Sequence, residues 1–287
     1  MKRFTRLLLG TGVLVGGMSI AVAQETTPPP KVLSIMREFV KPGKGGAVHE
    51  KSESAFVQAM TRAKWPTHYF AVSSITGKPR VLFLTGYDSF EAWEKDVLAT
   101  QKNATLSAAL DRANAADGEL LSDYDSSALV YNEEYSLRSA VDIAHMRYFD
   151  IALYRVRAGH DADWDTIVKM VKAAYEKIPD VHFATYYAQY GQEGTTYVVF
   201  TPMKSAAEID QSFAQDKQFM ANMGEDGMKK FSELLAVTIE FSQHNLFAFT
   251  PSMSYPRDEW IKADPDFWKP KPAAAPKKAA EKPANSQ

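Results

Sequence analysis

A chain of 287 residues, 45% hydrophobic and 24% charged, is long and apolar enough to bury a core without covalent staples. It has no cysteine, which excludes a disulfide framework, a Cys-x-x-Cys site and a lipidated N-terminal Cys. Basic residues (33) and acidic residues (35) nearly balance, but the positive charge collects at the two ends. The acidic body between them speaks against nucleic acid as a partner.

The first 23 residues read as a secretory signal peptide. Lys2, Arg3 and Arg6 precede an apolar stretch from Leu7 to Ile20, and Ala21-Val22-Ala23 is a small-residue cleavage site, so the mature chain is predicted to start near Gln24. The stretch is too short and Gly-rich for a spanning helix, and no later segment is apolar for long enough to cross a bilayer. A periplasmic or secreted location follows as an expectation. Residues 24–31, with Pro28, Pro29 and Pro30, are predicted to be a linker.

Residues 32–137 read as strand, helix, strand, strand, helix, strand. Val32 to Val40 has strand composition and ends at the Pro42-Gly43 turn signal. Ala47 to Ala63 carries Phe56, Val57, Met60 and Ala63 at helical spacing, and Trp65-Pro66 stops it. Thr67 to Ile75 and Arg80 to Thr85 are strands about a Gly77 turn. Asp88 with Glu91 suggests a capping box for a helix holding Phe90 and Trp93. A second helical stretch runs from Asn103 to Leu121, and Ser127 to Tyr135 is the closing strand.

After a connection at 138–147, residues 148–250 repeat this order. Tyr148 to Val156 is a strand, Trp164, Ile167, Val168 and Val171 mark a helix, and Ile178-Pro179 stops it. Two strands flank Gly191–Gly194. Ser205 with Glu208 suggests the next capping box, before a long and broken helical stretch and a last strand through Val237, Ile239 and Phe241. The text repeats as well. Residues 80–94 and, 116 positions on, residues 196–210 are each an apolar run, a Thr, a short turn, a Ser and an acidic helix start.

A βαββαβ unit makes a four-stranded antiparallel sheet with both helices on one face, so the other face needs a cover. Two such units in one chain can cover each other. The fold class expected is α+β: two ferredoxin-like repeats packed sheet to sheet as a pseudo-dimeric barrel. The element order, the Pro-Gly turn and the Thr-to-Ser helix start resemble the dimeric α+β barrel superfamily in tandem form, which holds NIPSNAP-like proteins and cofactor-free antibiotic-biosynthesis monooxygenases. That resemblance implies a monomer that closes its own barrel and a cavity suited to a small molecule. It does not extend to haem, whose axial set has no residue-by-residue match here.

His68 and His182 are the candidate catalytic residues. Each follows the Pro that ends the first helix of its repeat and precedes an aromatic residue, so a barrel would bring them to equivalent positions as proton acceptors. Trp65, Tyr69, Tyr186 and Tyr187 are the candidate ligand-binding set, within a wider cluster that includes Phe70, Tyr190 and Tyr197. His49, Glu50 and Glu53 share helical spacing and read as a solvated charged face. No metal and no cofactor is predicted.

Residues 251–268 carry Tyr255, Trp260, Phe267 and Trp268, and are expected to wrap over a bare sheet edge rather than a cavity mouth. Residues 269–287 read as a disordered Lys/Pro/Ala tail, basic enough for a weak contact with anionic envelope polymers. Together these features predict an exported soluble barrel that binds a small apolar or aromatic ligand or a protein partner. The alternative is an oxygenase-like enzyme using a barrel-facing His as base.

Overall fold

The computed structural model describes residues 26–269. The expected signal peptide and, beyond Lys269, the expected tail lie outside the described residues. Eight strands and seven α-helices follow in the order β1 (Val32–Val40), α1 (Ala47–Ala63), β2 (Tyr69–Ser74), β3 (Arg80–Tyr87), α2 (Phe90–Lys102), α3 (Ala104–Gly118), β4 (Leu121–Leu137), β5 (Tyr148–Val156), α4 (Asp161–Tyr175), β6 (Phe183–Tyr190), β7 (Thr195–Met203), α5 (Ala207–Thr238), β8 (Ile239–Phe249), α6 (Asp258–Ala263) and α7 (Pro265–Trp268). No described helix is long and apolar enough to cross a membrane.

The strands form one closed antiparallel barrel in the order β1-β3-β2-β8-β5-β7-β6-β4. The two runs β4-β1-β3-β2 and β8-β5-β7-β6 share one internal order. A barrel was the expectation, from two repeats packed sheet to sheet; the two runs form it joined edge to edge. The physical reason lies in the long closing strands. β4 pairs with β1 through Leu121–Val130 and then with β6 through Ala128–Leu137. β8 pairs with β5 along most of its length, and its last residues Phe247–Phe249 pair with β2. The expected strand at 127–135 captured only the middle of β4.

Strand alternation sorts the side chains into two layers. Leu33, Ile35, Val72, Leu82, Leu84, Ile151, Val198, Phe200, Phe247 and Phe249 point into the barrel. The alternate residues face outward to the helices: Ala71, Val81 and Phe83 in one half, Tyr154, Val156 and Tyr197 in the other. The helix starts differ in detail from expectation. Ser89, not Asp88, caps α2, its Oγ accepting the Ala92 N–H at 3.1 Å. At α5, Glu208 accepts the Lys204 N–H at 2.8 Å, while Ser205 makes no cap. The expected break in α5 falls at Gly224, whose φ of 70° a side chain would strain.

Both terminal segments close one end of the barrel. Thr27 pairs with Val141, and Pro30 packs on Gly86 so closely that a β-carbon there would lie 2.8 Å from the proline ring. The segment 24–31, read as a linker, is from Thr27 onward part of that barrel end. At the other terminus Tyr255 pairs with Tyr69, and Trp268 is 2% exposed, its indole N–H donating to the Ala144 carbonyl. The wrapping segment therefore plugs the barrel. It also covers part of the edge of β2: β8 pairs only with Val72–Ser74, and the backbones of Tyr69 and Ala71 bond instead to Tyr255, Thr250 and Ser254.

Candidate functional site

Beneath those two segments the barrel interior is hollow. The cavity measures about 430 Å³, within the size range of small-molecule sites. Leu33, Phe70, Leu84, Phe149, Phe200 and Trp260 make apolar walls. His68, Asp88, His182, Tyr186 and Arg257 bring polar groups to it.

His68 and His182 stand immediately before β2 and β6, so the barrel brings both to the same cavity. Their surroundings differ. His182 Nδ1 lies 2.9 Å from the Asp180 carbonyl and Nε2 lies 2.8 Å from the Pro202 carbonyl, so both nitrogens face acceptors of the main chain. His68 stacks on Tyr255 with ring centroids 4.6 Å apart, and its buried Nδ1 has no hydrogen-bond partner. Of the two, His68 has a nitrogen left for a ligand.

The four aromatic candidates divide. Tyr186 points into the cavity; Tyr69 borders it only at the start of β2, its ring lying on the outer face of the sheet against Phe83 and Met253. Tyr186 donates its hydroxyl to the Pro30 carbonyl at 3.1 Å. Tyr187 is the next residue on β6 and points to the opposite face, against Tyr197. Trp65 packs with Ala59 and Leu106 beneath the helices, and its indole N–H donates to Asp96 at 2.9 Å. His145 and His160 each pair with an Asp three positions away, Asp142 and Asp163.

The charged face expected at His49 and Glu53 is not solvated. His49 is 1% exposed and Glu53 3%, while the preceding Val48 is 49% exposed. The first turns of α1 are inverted, with ionisable residues toward the sheet. They meet Glu38 from the outer face of β1 and Asp117 from the last turn of α3, which are 6% and 2% exposed. His49 Nε2 lies 3.1 Å from Glu38 Oε2, 3.5 Å from Asp117 Oδ1 and 3.8 Å from Glu53 Oε1. One ring N–H cannot serve all three. Glu53 Oε1 and both oxygens of Asp117 are buried without a hydrogen bond.

Such a group is electrostatically costly. Burial, with the Glu38 and Asp117 charges behind it, pushes the Glu53 carboxyl up to about 9. Burial and then the Asp117 charge likewise raise Glu38, against the hydrogen bond from His49. At His49 burial acts against the charged ring, but the adjoining Asp117 and Glu38 carboxylates outweigh it and push the imidazole up to about 10. Tyr69 also touches this field. Burial first, then the charges of Glu53 and Glu38, push its hydroxyl up, and that hydroxyl is buried without a partner.

A second hollow, about 640 Å³, lies outside the barrel under α4 and α5. It holds Asp150, whose carboxyl burial raises, and a pair in which Tyr154 Oη and His244 Nε2 are 3.0 Å apart. The interior cavity is the one on which the sequence candidates converge.

No protein-family model matches the chain, and no curated protein sequence matches it. Solved structures do. A provisionally named monooxygenase from Fusobacterium nucleatum is 11% identical with a TM-score of 0.49, over 77% of this chain and 93% of that one. An anthrone oxidase-like protein is 14% identical with a TM-score of 0.48, over 79% and 94%. A chlorite dismutase variant from Candidatus Nitrospira defluvii is 8% identical with a TM-score of 0.45, over 84% and 98%. At these identities and scores the likeness carries no activity and no substrate to this chain.

Proposed function

We propose that this protein is an exported, soluble α+β barrel that takes a small apolar or aromatic molecule into the capped end of its barrel. The observation that carries the reading is the 430 Å³ cavity whose apolar wall is interrupted by His68, His182 and Tyr186. Aromatic walls suit a flat ligand, and a few convergent polar groups fix its orientation. The equal strand order of the two halves supports an internal duplication in which one chain closes the barrel by itself and is a monomer. Export rests on the sequence of residues 1–23 alone.

One observation favours a catalytic variant of this reading. The Nδ1 of His68 is buried, unpartnered and on a cavity-lining ring. A neutral imidazole so placed would accept a proton from a phenolic or enolic ligand, the first step of an oxygenation that uses dioxygen as oxidant.

Native mass spectrometry of the protein from its own host tests the binding reading. A retained small molecule in the wild type, lost on Ala184→Trp, which fills the cavity, is the expected result. Loss of proton-transfer activity but not of binding on His68→Gln would establish the catalytic variant. A wild-type cavity that holds nothing, with Trp260 fluorescence unmoved by a panel of aromatic ligands, would refute both.

A further inference from the structure

We propose that Glu38, His49, Glu53 and Asp117 form a binding site for a divalent first-row transition ion, with one imidazole nitrogen and three carboxylate oxygens as ligands. One donor atom from each of the four lies within 4.8 Å of the others. A tetrahedral ion with ligands at about 2.0–2.2 Å holds its donors roughly 3.4 Å apart. The distances from His49 Nε2 to the three carboxylates, 3.1, 3.5 and 3.8 Å, straddle that separation.

Acidic side chains gather on many protein surfaces without an ion, but this group is interior. Asp117 is 98% buried, and neither of its oxygens accepts a hydrogen bond. A buried carboxylate with both oxygens orphaned costs several kcal/mol in desolvation, which a bound cation, a proton or a full set of donors offsets. Within the group the hydrogen bond formed is that between His49 Nε2 and Glu38 Oε2, and Asp117 receives none. The Tyr69 hydroxyl, on a different strand, is orphaned in the same field.

The other half of the barrel shows that the fold does not require these residues. Glu38 pairs with Val81 across β1 and β3, and Tyr154 pairs with Tyr197 across β5 and β7, at the same step of each half. Around Tyr154 the layer between sheet and helices is made by Trp164, Ile167, Tyr197 and Phe231, and Trp164, Ile167 and Phe231 also wall the second hollow. Mainly apolar side chains thus serve one half, and four ionisable groups occupy the corresponding layer of the other.

The donor set selects the ion. Imidazole suits zinc, iron and their neighbours, and carboxylates extend the set toward manganese. Calcium takes six to eight oxygens at longer range, and magnesium keeps several waters, for which this interior leaves little room. His49 and Glu53 stand one turn apart on α1, Glu38 comes from β1 and Asp117 from the end of α3, so a bound ion would tie two helices to the sheet.

The test uses the untagged full-length protein, stripped with a chelator and titrated separately with Zn²⁺, Mn²⁺, Mg²⁺ and Ca²⁺ by calorimetry and thermal unfolding. The expected result is one Zn²⁺ or Mn²⁺ per chain, a raised unfolding temperature, and binding at least about ten-fold weaker for Mg²⁺ and Ca²⁺. Asp117→Asn should weaken binding by about a hundred-fold or more while the metal-free variant stays folded. Glu53→Gln provides the same reading if that variant fails to fold. Glu50→Gln, on the same helix but outside the quartet, should bind as the wild type does. The proposal is overturned by folded protein that takes up none of these ions one to one, by a preference for Mg²⁺ or Ca²⁺, by Asp117→Asn and Glu53→Gln binding like the wild type, or by equal weakening in Glu50→Gln. None of these readouts involves the barrel cavity.

Discussion

The hydroxyl of Tyr186 donates to the carbonyl of Pro30, a residue 156 positions earlier in the chain. This bond ties the proline segment to the wall of the cavity it covers. Tyr186→Phe removes the donor and leaves a carbonyl short of a partner. We expect a loss of about 1 kcal/mol in chemical denaturation and faster proteolysis before Lys31. Unchanged protection of that segment would show that the bond is incidental.

Gly86→Ala tests the same cover from below. A β-carbon at Gly86 would stand 2.8 Å from two atoms of the Pro30 ring. Overpacking of this kind costs about 1–3 kcal/mol. The proline segment should lift, and hydrogen exchange should rise at Thr27 and Val141, which pair through their backbones. Wild-type exchange at both amides would contradict this.

Trp268 is the plug at the C-terminal side. It lies against Phe249 and Trp260 and is fixed through the Ala144 carbonyl. Trp268→Ala should cost about 3–5 kcal/mol, measured by denaturant titration. A loss below 1 kcal/mol would mean that the segment rests on the barrel without supporting it.

Asp150 gives a pH signature. Burial raises its folded carboxyl above the ordinary value, only partly countered by His244. A raised acid contributes stability below its unfolded value and loses it as pH rises through the folded one. Asp150→Asn should therefore exceed the wild type in stability at neutral pH, with the gap closing below about pH 4, near the unfolded carboxyl value. Two parallel stability curves would show that the carboxyl is solvated.

Much of the barrel could be read from spacing. The strands of β1, β3, β5 and β7 fall where alternation and turn residues put them, because their pairing partners impose one buried face at every step. The ends of β4 and β8 could not be read, since each strand changes partner along its length and its burial pattern changes with it. The His68 and His182 positions were legible from two Pro-terminated helices of like length. Tyr187 was not separable from Tyr186, because strand parity decides the face and a one-residue shift reverses it. Trp65 sits at a helix stop, where neither period applies.

The ionisable quartet was half visible. His49 and Glu53 are four residues apart on a helix, a spacing that identifies a shared face but not its direction. Val48 would ordinarily be the inward residue, and here it is half exposed. Glu38 and Asp117 reach the same point from other elements, and nothing local to either announces that. The signal available was a Glu two residues before the end of β1, between Arg37 and Phe39, together with a helix whose first turns lack an apolar stripe.

The double seam of the barrel has a consequence for how chains can associate. With β2 joined to β8 and β4 to β6, no described strand has a whole side of its backbone left without a neighbour. A second molecule has only short ribbons to zip onto, the route by which open sheets grow into fibres. These are Ile239–Asn245 of β8 and Leu121–Asp125 of β4, which pair with a strand on one side only.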